Sequence, residues 1–95
     1  MTYDDEQQNL VILAEEAGEV VRIACMCMRF GVDDYHPKNG AVNRVALAHE
    51  IGHLMRMVSC LTDQGTISAK DVADGIMQKS ESLNAWYRVK EASDD

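Results

Sequence analysis

With 46% hydrophobic and 26% charged residues in 95 positions, the chain has material for one modest core, so residues 1–95 are read as a single domain. A net charge of -7 disfavours nucleic acid or an anionic membrane as the principal partner, because neither brings countercharge to an acidic surface. There is no apolar run of about 18 residues, and Met1-Thr2-Tyr3-Asp4-Asp5 lacks the basic and apolar regions of a secretory leader; the expectation is a soluble, cytoplasmic protein.

The first predicted helix runs from Asp4 or Asp5 to Arg29, with Leu10, Leu13, Ala17, Val20, Ala24 and Cys27 as a heptad-like apolar seam. Gly31 is a natural stop. The segment from Gly31 to Asn43, containing the single proline, Pro37, reads as a loop of a length that commonly carries function. A second helix is expected from Ala41 to Asp63, with Leu47, Ile51, Leu54, Val58 and Leu61 inward. The third has Ser68 as N-cap and Asp71 three residues on, carries Val72, Ile76, Leu83, Trp86 and Tyr87, and frays at Ser93-Asp94-Asp95. No segment reads as a strand, so the fold class is all-α. Cys25, Cys27 and Cys60 are odd in number and lie on apolar helical segments, which suits reduced thiols rather than a disulfide framework.

Two apolar stripes are interrupted by polar groups. At helical spacing the first helix reads Ile12, Glu16, Glu19, Ile23, Met26, Phe30, and the second reads Ala46, Glu50, His53, Met57, Cys60. An ionised carboxylate taken out of water without a partner costs several kcal/mol or shifts its pKa until it neutralises. A bound cation is the economical partner. Residues i and i+3 share a helical face, and helices packed about 8 to 10 Å apart let glutamates from both reach one point, forming an oxygen-rich cage for a hard divalent ion. Glu15, one residue off the stripe, is placed to orient water or an outer-shell ligand.

Helix length bears on assembly. A first helix of about 25 residues is roughly 38 Å long, whereas a compact chain of this size has a radius of gyration of about 12 to 13 Å. One chain does not cover both stripes of such a helix. The expected solution is a helical bundle completed by homodimerisation, with a tetramer of dimers as an extension.

The segments Leu13-Ala14-Glu15-Glu16-Ala17-Gly18-Glu19-Val20, Arg29-Phe30-Gly31, Asn43, and Leu47-Ala48-His49-Glu50-Ile51-Gly52-His53-Leu54 resemble the MazG-like all-α nucleoside triphosphate pyrophosphohydrolases, in particular their short, phage-type members. The similarity extends from about Gln7 to Tyr87. In that family E-E-x-x-E is followed, one loop later, by E-x-x-D. The resemblance implies hydrolysis between the α- and β-phosphates of a nucleotide, giving monophosphate and pyrophosphate, with magnesium on the acidic quartet and Glu15, Glu16, Glu19 and Glu50 as the catalytic group. It carries the metal ligands over to Glu16, Glu19 and Glu50, makes Asn43 a nucleotide contact, and places a phage-encoded member in the host cytoplasm.

Two positions depart from the family pattern. His53 stands where the second motif ends in aspartate, which replaces a hard anionic ligand by a neutral nitrogen and favours manganese or another softer divalent ion over magnesium. Met26 stands where phage-type relatives often carry lysine. A catalytically impaired member that binds or sequesters nucleotides, or acts through protein contacts, is therefore the alternative to an active hydrolase. His49-Glu50-Ile51-Gly52-His53 is also a literal H-E-x-x-H, the signature of zinc peptidases, with Glu81 available as a third ligand. That third reading leaves Glu16 and Glu19 unexplained and puts His49 on the polar stripe His49, Gly52, Arg56, Ser59, Asp63. Arg29, Lys38, Asn39, Asn43 and Arg44 are the polar groups nearest the acidic centre; Arg29, Lys38 and Asn43 are taken as candidate ligand contacts, although Arg29 also complements the helix dipole.

Overall fold

A computed structural model describes residues 4–94, which form three helices: α1, Asp5–Phe30; α2, Asn43–Asp63; and α3, Ala69–Asp94. Asp4 starts α1 through a reciprocal capping box. Its carboxylate accepts from the Gln7 backbone N–H at 2.7 Å, while the Gln7 side-chain oxygen accepts from the Asp4 N–H at 3.1 Å. Asp5 and Glu6 in the first turn and Arg29 in the last complement the helix dipole. Gly31 ends α1 at φ +97°, in backbone space that side chains with a Cβ rarely adopt, and its N–H closes on the Cys27 carbonyl at 2.9 Å.

The connection to α2 is a built turn. Tyr35 and Val42 form an isolated antiparallel bridge, the His36 N–H donates to the Ala41 carbonyl at 2.8 Å, and Gly40 at φ +71° donates to the His36 carbonyl at 2.9 Å. This pairing corrects the expected start of α2. Ala41 and Val42 stay outside the helix, Val42 at ψ 134°, because their backbones are committed to the turn, and the helix begins at Asn43. Asn43 is 4% exposed; its side-chain amide donates to the Gly31 carbonyl at 3.0 Å and its backbone N–H to Asp34 at 2.9 Å. One buried polar residue thus ties the start of α2 to the end of α1.

The two helices so joined pack along one another, with Ile23 and Leu61 buried between them. Helix α3 packs along neither. It starts as expected, with the Asp71 N–H donating to the Ser68 hydroxyl at 3.0 Å, and then presents Ile76, Met77, Trp86, Tyr87 and Val89 to the surroundings. Trp86 and Tyr87 touch edge to face, 5.0 Å between ring centres, and Lys90 lies over the indole. The radius of gyration is 17.1 Å, well above the value for a compact chain of this length, and the accessible surface of 7400 Å² exceeds by about 1,900 Å² what a compact monomer of this mass exposes. The cysteines are free thiols, Cys25 exposed and Cys27 and Cys60 half-buried. Among the described residues, no helix is long and apolar enough to cross a membrane.

Candidate functional site

Facing positions in the middle of α1 and α2 bring Glu16, Glu50 and His53 together. The His53 Nδ1 lies 3.3 Å from Glu16 Oε2 and 3.3 Å from Glu50 Oε2, and one potential ligand atom from each of the three lies within 4.8 Å of the others. Both glutamates are half-buried, whereas His53 is exposed at the edge of the groove. Two carboxylate oxygens and an imidazole nitrogen converging from neighbouring helices are a suitable donor set for a divalent cation. The i, i+3 step from Glu50 to His53 and the packing of α2 against Glu16 produce this convergence.

The trio is electrostatically poised. A hydrogen-bond contact with the Glu50 carboxyl, assisted by partial desolvation and by the Glu50 charge, raises the Glu16 pKa above its ordinary 4.5, with His53 opposing. A raised folded-state value means that the folded chain holds this proton more tightly than the unfolded chain. The stabilisation is complete below pH 4.5 and is lost as pH climbs through the raised value. Thermal melts of metal-free protein should therefore fall in midpoint above that pH, and Glu16→Gln should flatten this part of the profile. An identical profile in the variant would mean that Glu16 is not the source of this pH dependence.

Glu19, expected beside Glu16 as a ligand, is drawn to the nearest countercharge. Arg22, three residues on, donates to its Oε2 from Nη2 at 2.8 Å and from Nε at 3.2 Å, which lowers the Glu19 pKa. The pair is about half exposed on both sides and of the kind worth less than about 1 kcal/mol. Glu19 thus sits one helical turn from the trio and outside it. Glu15 is exposed on the neighbouring face.

Beside the trio lies a cavity of about 290 Å³, lined by Arg22, Met26, His36, Asn39, Asn43, His49 and Glu50, with Ile23, Ala41, Val45 and Ala46 as its apolar wall. Asn43 is therefore both a structural tie and a wall residue. Lys38 and Arg29 do not line this cavity. Lys38 belongs to the turn, its backbone N–H donating to the His36 ring, while the Arg29 guanidinium lies 5.0 Å from the centre of the Phe30 ring. Arg44 is occupied by Asp33 at 2.7 Å. Arg22, His36 and His49 are the wall residues that sequence reasoning did not place there. For Arg22 a signal existed, since it continues the i+3 steps from Glu16 and Glu19; His36 enters only through the turn, and His49 lines the cavity from a stripe that reads as solvent-facing. The H-E-x-x-H reading also loses its geometry, because His49 is outside the trio and Glu50, the base of that motif, is inside it.

No curated protein and no solved structure matches the chain significantly. The family model of the MazG nucleotide pyrophosphohydrolase domain matches residues 4–85, a stretch that takes in α1, the turn, α2 and most of α3. With the paired-helix acidic centre lying within that match, the chain belongs to the MazG nucleotide pyrophosphohydrolase domain family.

Proposed function

We propose that the protein is a divalent-metal-dependent nucleotide pyrophosphohydrolase, which uses water to split a nucleoside triphosphate into monophosphate and pyrophosphate. The observation that carries this reading is the meeting of Glu16, Glu50 and His53 beside a cavity that also contains a guanidinium. Glu16, Glu50 and His53 would hold magnesium or manganese, with Glu19 one helical turn away on α1. A divalent ion there would neutralise phosphate charge and raise the acidity of water. Glu15, exposed next to Glu16, orients the attacking water, and Asn43 keeps the cavity wall in register with both helices.

The working unit is a homodimer. Its support is the uncovered apolar face of α3 together with a surface excess of about 1,900 Å² per chain, more than the roughly 800 Å² that each partner buries in a standard protein interface. Light scattering at micromolar concentration is expected to give at least twice the chain mass; a folded monomer at that concentration would remove the dimer from the proposal.

The test of the activity is pyrophosphate release from a panel of nucleoside triphosphates with magnesium and with manganese. Release that depends on the ion and on Glu50 supports the hydrolase. Tight nucleotide binding with no release would favour the second reading, a nucleotide-sequestering relative, for which the specific observation is an imidazole at position 53 in place of a third carboxylate.

A further inference from the structure

A second cavity of about 360 Å³ adjoins the first, and Met26, His36 and Asn43 line both. The two differ in chemistry. At one end are Glu50 and Arg22, beside the acidic trio; at the other the walls are Phe30, Tyr35 and Pro37. We propose that the two cavities are one nucleotide cleft, with the phosphates at the Arg22 end and the base against Phe30 and Tyr35. This assignment of direction rests on the nucleotide-hydrolase reading.

Three observations support it. Among the described residues, Arg22 is the only lysine or arginine lining either cavity, so it is the permanent cation available there to a polyphosphate lying beside two carboxylates. Its bond to Glu19 is exposed and weak, and exchanging that carboxylate for a phosphate replaces one charge-assisted contact by another. The guanidinium already reaches along the wall toward the second cavity, with Nη1 3.5 Å from the Met26 sulfur.

The aromatic end is open yet held in place. Phe30 is 54% exposed and Tyr35 64%, an unusual state for two aromatic rings on one concave wall unless something covers them. Arg29 stacks over Phe30, while the Tyr35 backbone is fixed by its bridge to Val42. The turn between them is closed by His36, whose Nδ1 accepts the backbone N–H groups of Lys38 and Asn39 at 3.1 and 3.4 Å. A flat π-system is the ligand part such a wall accepts, and stacking tolerates any base.

Calorimetric titration in manganese with two probes separates the ends. The probes are the α,β-methylene analogue of dATP, which resists cleavage, and inorganic tripolyphosphate, which has no base. Tyr35→Ala and Phe30→Ala are expected to weaken the nucleotide about tenfold while leaving tripolyphosphate unchanged. Arg22→Gln is expected to weaken both by at least about tenfold, with Arg22→Lys intermediate. Circular dichroism confirms that each variant retains its helices, and Tyr35→Leu replaces Tyr35→Ala if the turn opens. Unchanged nucleotide affinity in both aromatic variants, or unchanged affinity for both probes in Arg22→Gln, would overturn the cleft while leaving the hydrolase reading intact. A parent protein that binds neither probe would overturn both.

Discussion

Glu50→Gln is expected to erase the response of this protein to divalent cations. In the parent, an ion at about a hundred times its dissociation constant stabilises the fold by about 2.7 kcal/mol, which for a domain of this size corresponds to a rise in melting temperature on the order of 10 °C. Glu50 supplies one of the two carboxylates that converge with His53, so its amide halves the negative charge available to the ion and leaves only a weaker neutral oxygen donor in its place. Scanning calorimetry with and without manganese should show the full rise in the parent, none in Glu50→Gln, and an unaltered rise in Glu6→Gln at the exposed start of α1. Glu19→Gln is expected to reduce the rise as well, because Glu19 can leave Arg22 at little cost. A parent with no shift would reduce the trio to a charged groove.

His53→Asp should move activity the other way. It replaces a neutral nitrogen donor with a carboxylate at the same helical position, directly opposite Glu16 and beside Glu50. Magnesium prefers oxygen and gains most, so magnesium-supported pyrophosphate release is expected to rise at least about tenfold, and manganese-supported release much less. The same change should lower the melting temperature of the metal-free protein, since a third carboxylate joins two that already crowd one another. If release stays undetectable with both ions although the nucleotide analogue binds, the chain is a nucleotide binder and not a hydrolase.

Much of this was legible in the chain, for identifiable physical reasons. The Gly31 stop and the Ser68 start depend on local chemistry alone, and each helix lies within two residues of its expected bounds. Glu16, Glu50 and His53 were readable because helical period fixes which side chains share a face, and a polar break in an apolar line is conspicuous. Contacts decided between alternatives were not readable. Glu19 has two possible partners, Glu16's neighbours across the groove and Arg22 along its own helix, and period alone does not choose between them. The turn was harder still, because the commitment of Ala41 and Val42 comes from pairing across a proline-containing segment whose sequence carries no strand pattern. Phe30 and Tyr35 come onto one wall only through that pairing.

Helix α3 has a thermodynamic meaning beyond its geometry. A helix gains most of its stability from the surface it packs on, and α3 lies along neither α1 nor α2. In the proposed dimer its order would come from the partner protomer and would follow mass action. Diluting the protein should lower helical ellipticity and melting temperature together, along a curve set by the dissociation constant of the assembly. The cell's supply of this chain would then act as a threshold, below which α3 loosens while the shorter α1–α2 hairpin, stitched by Asn43, persists longest.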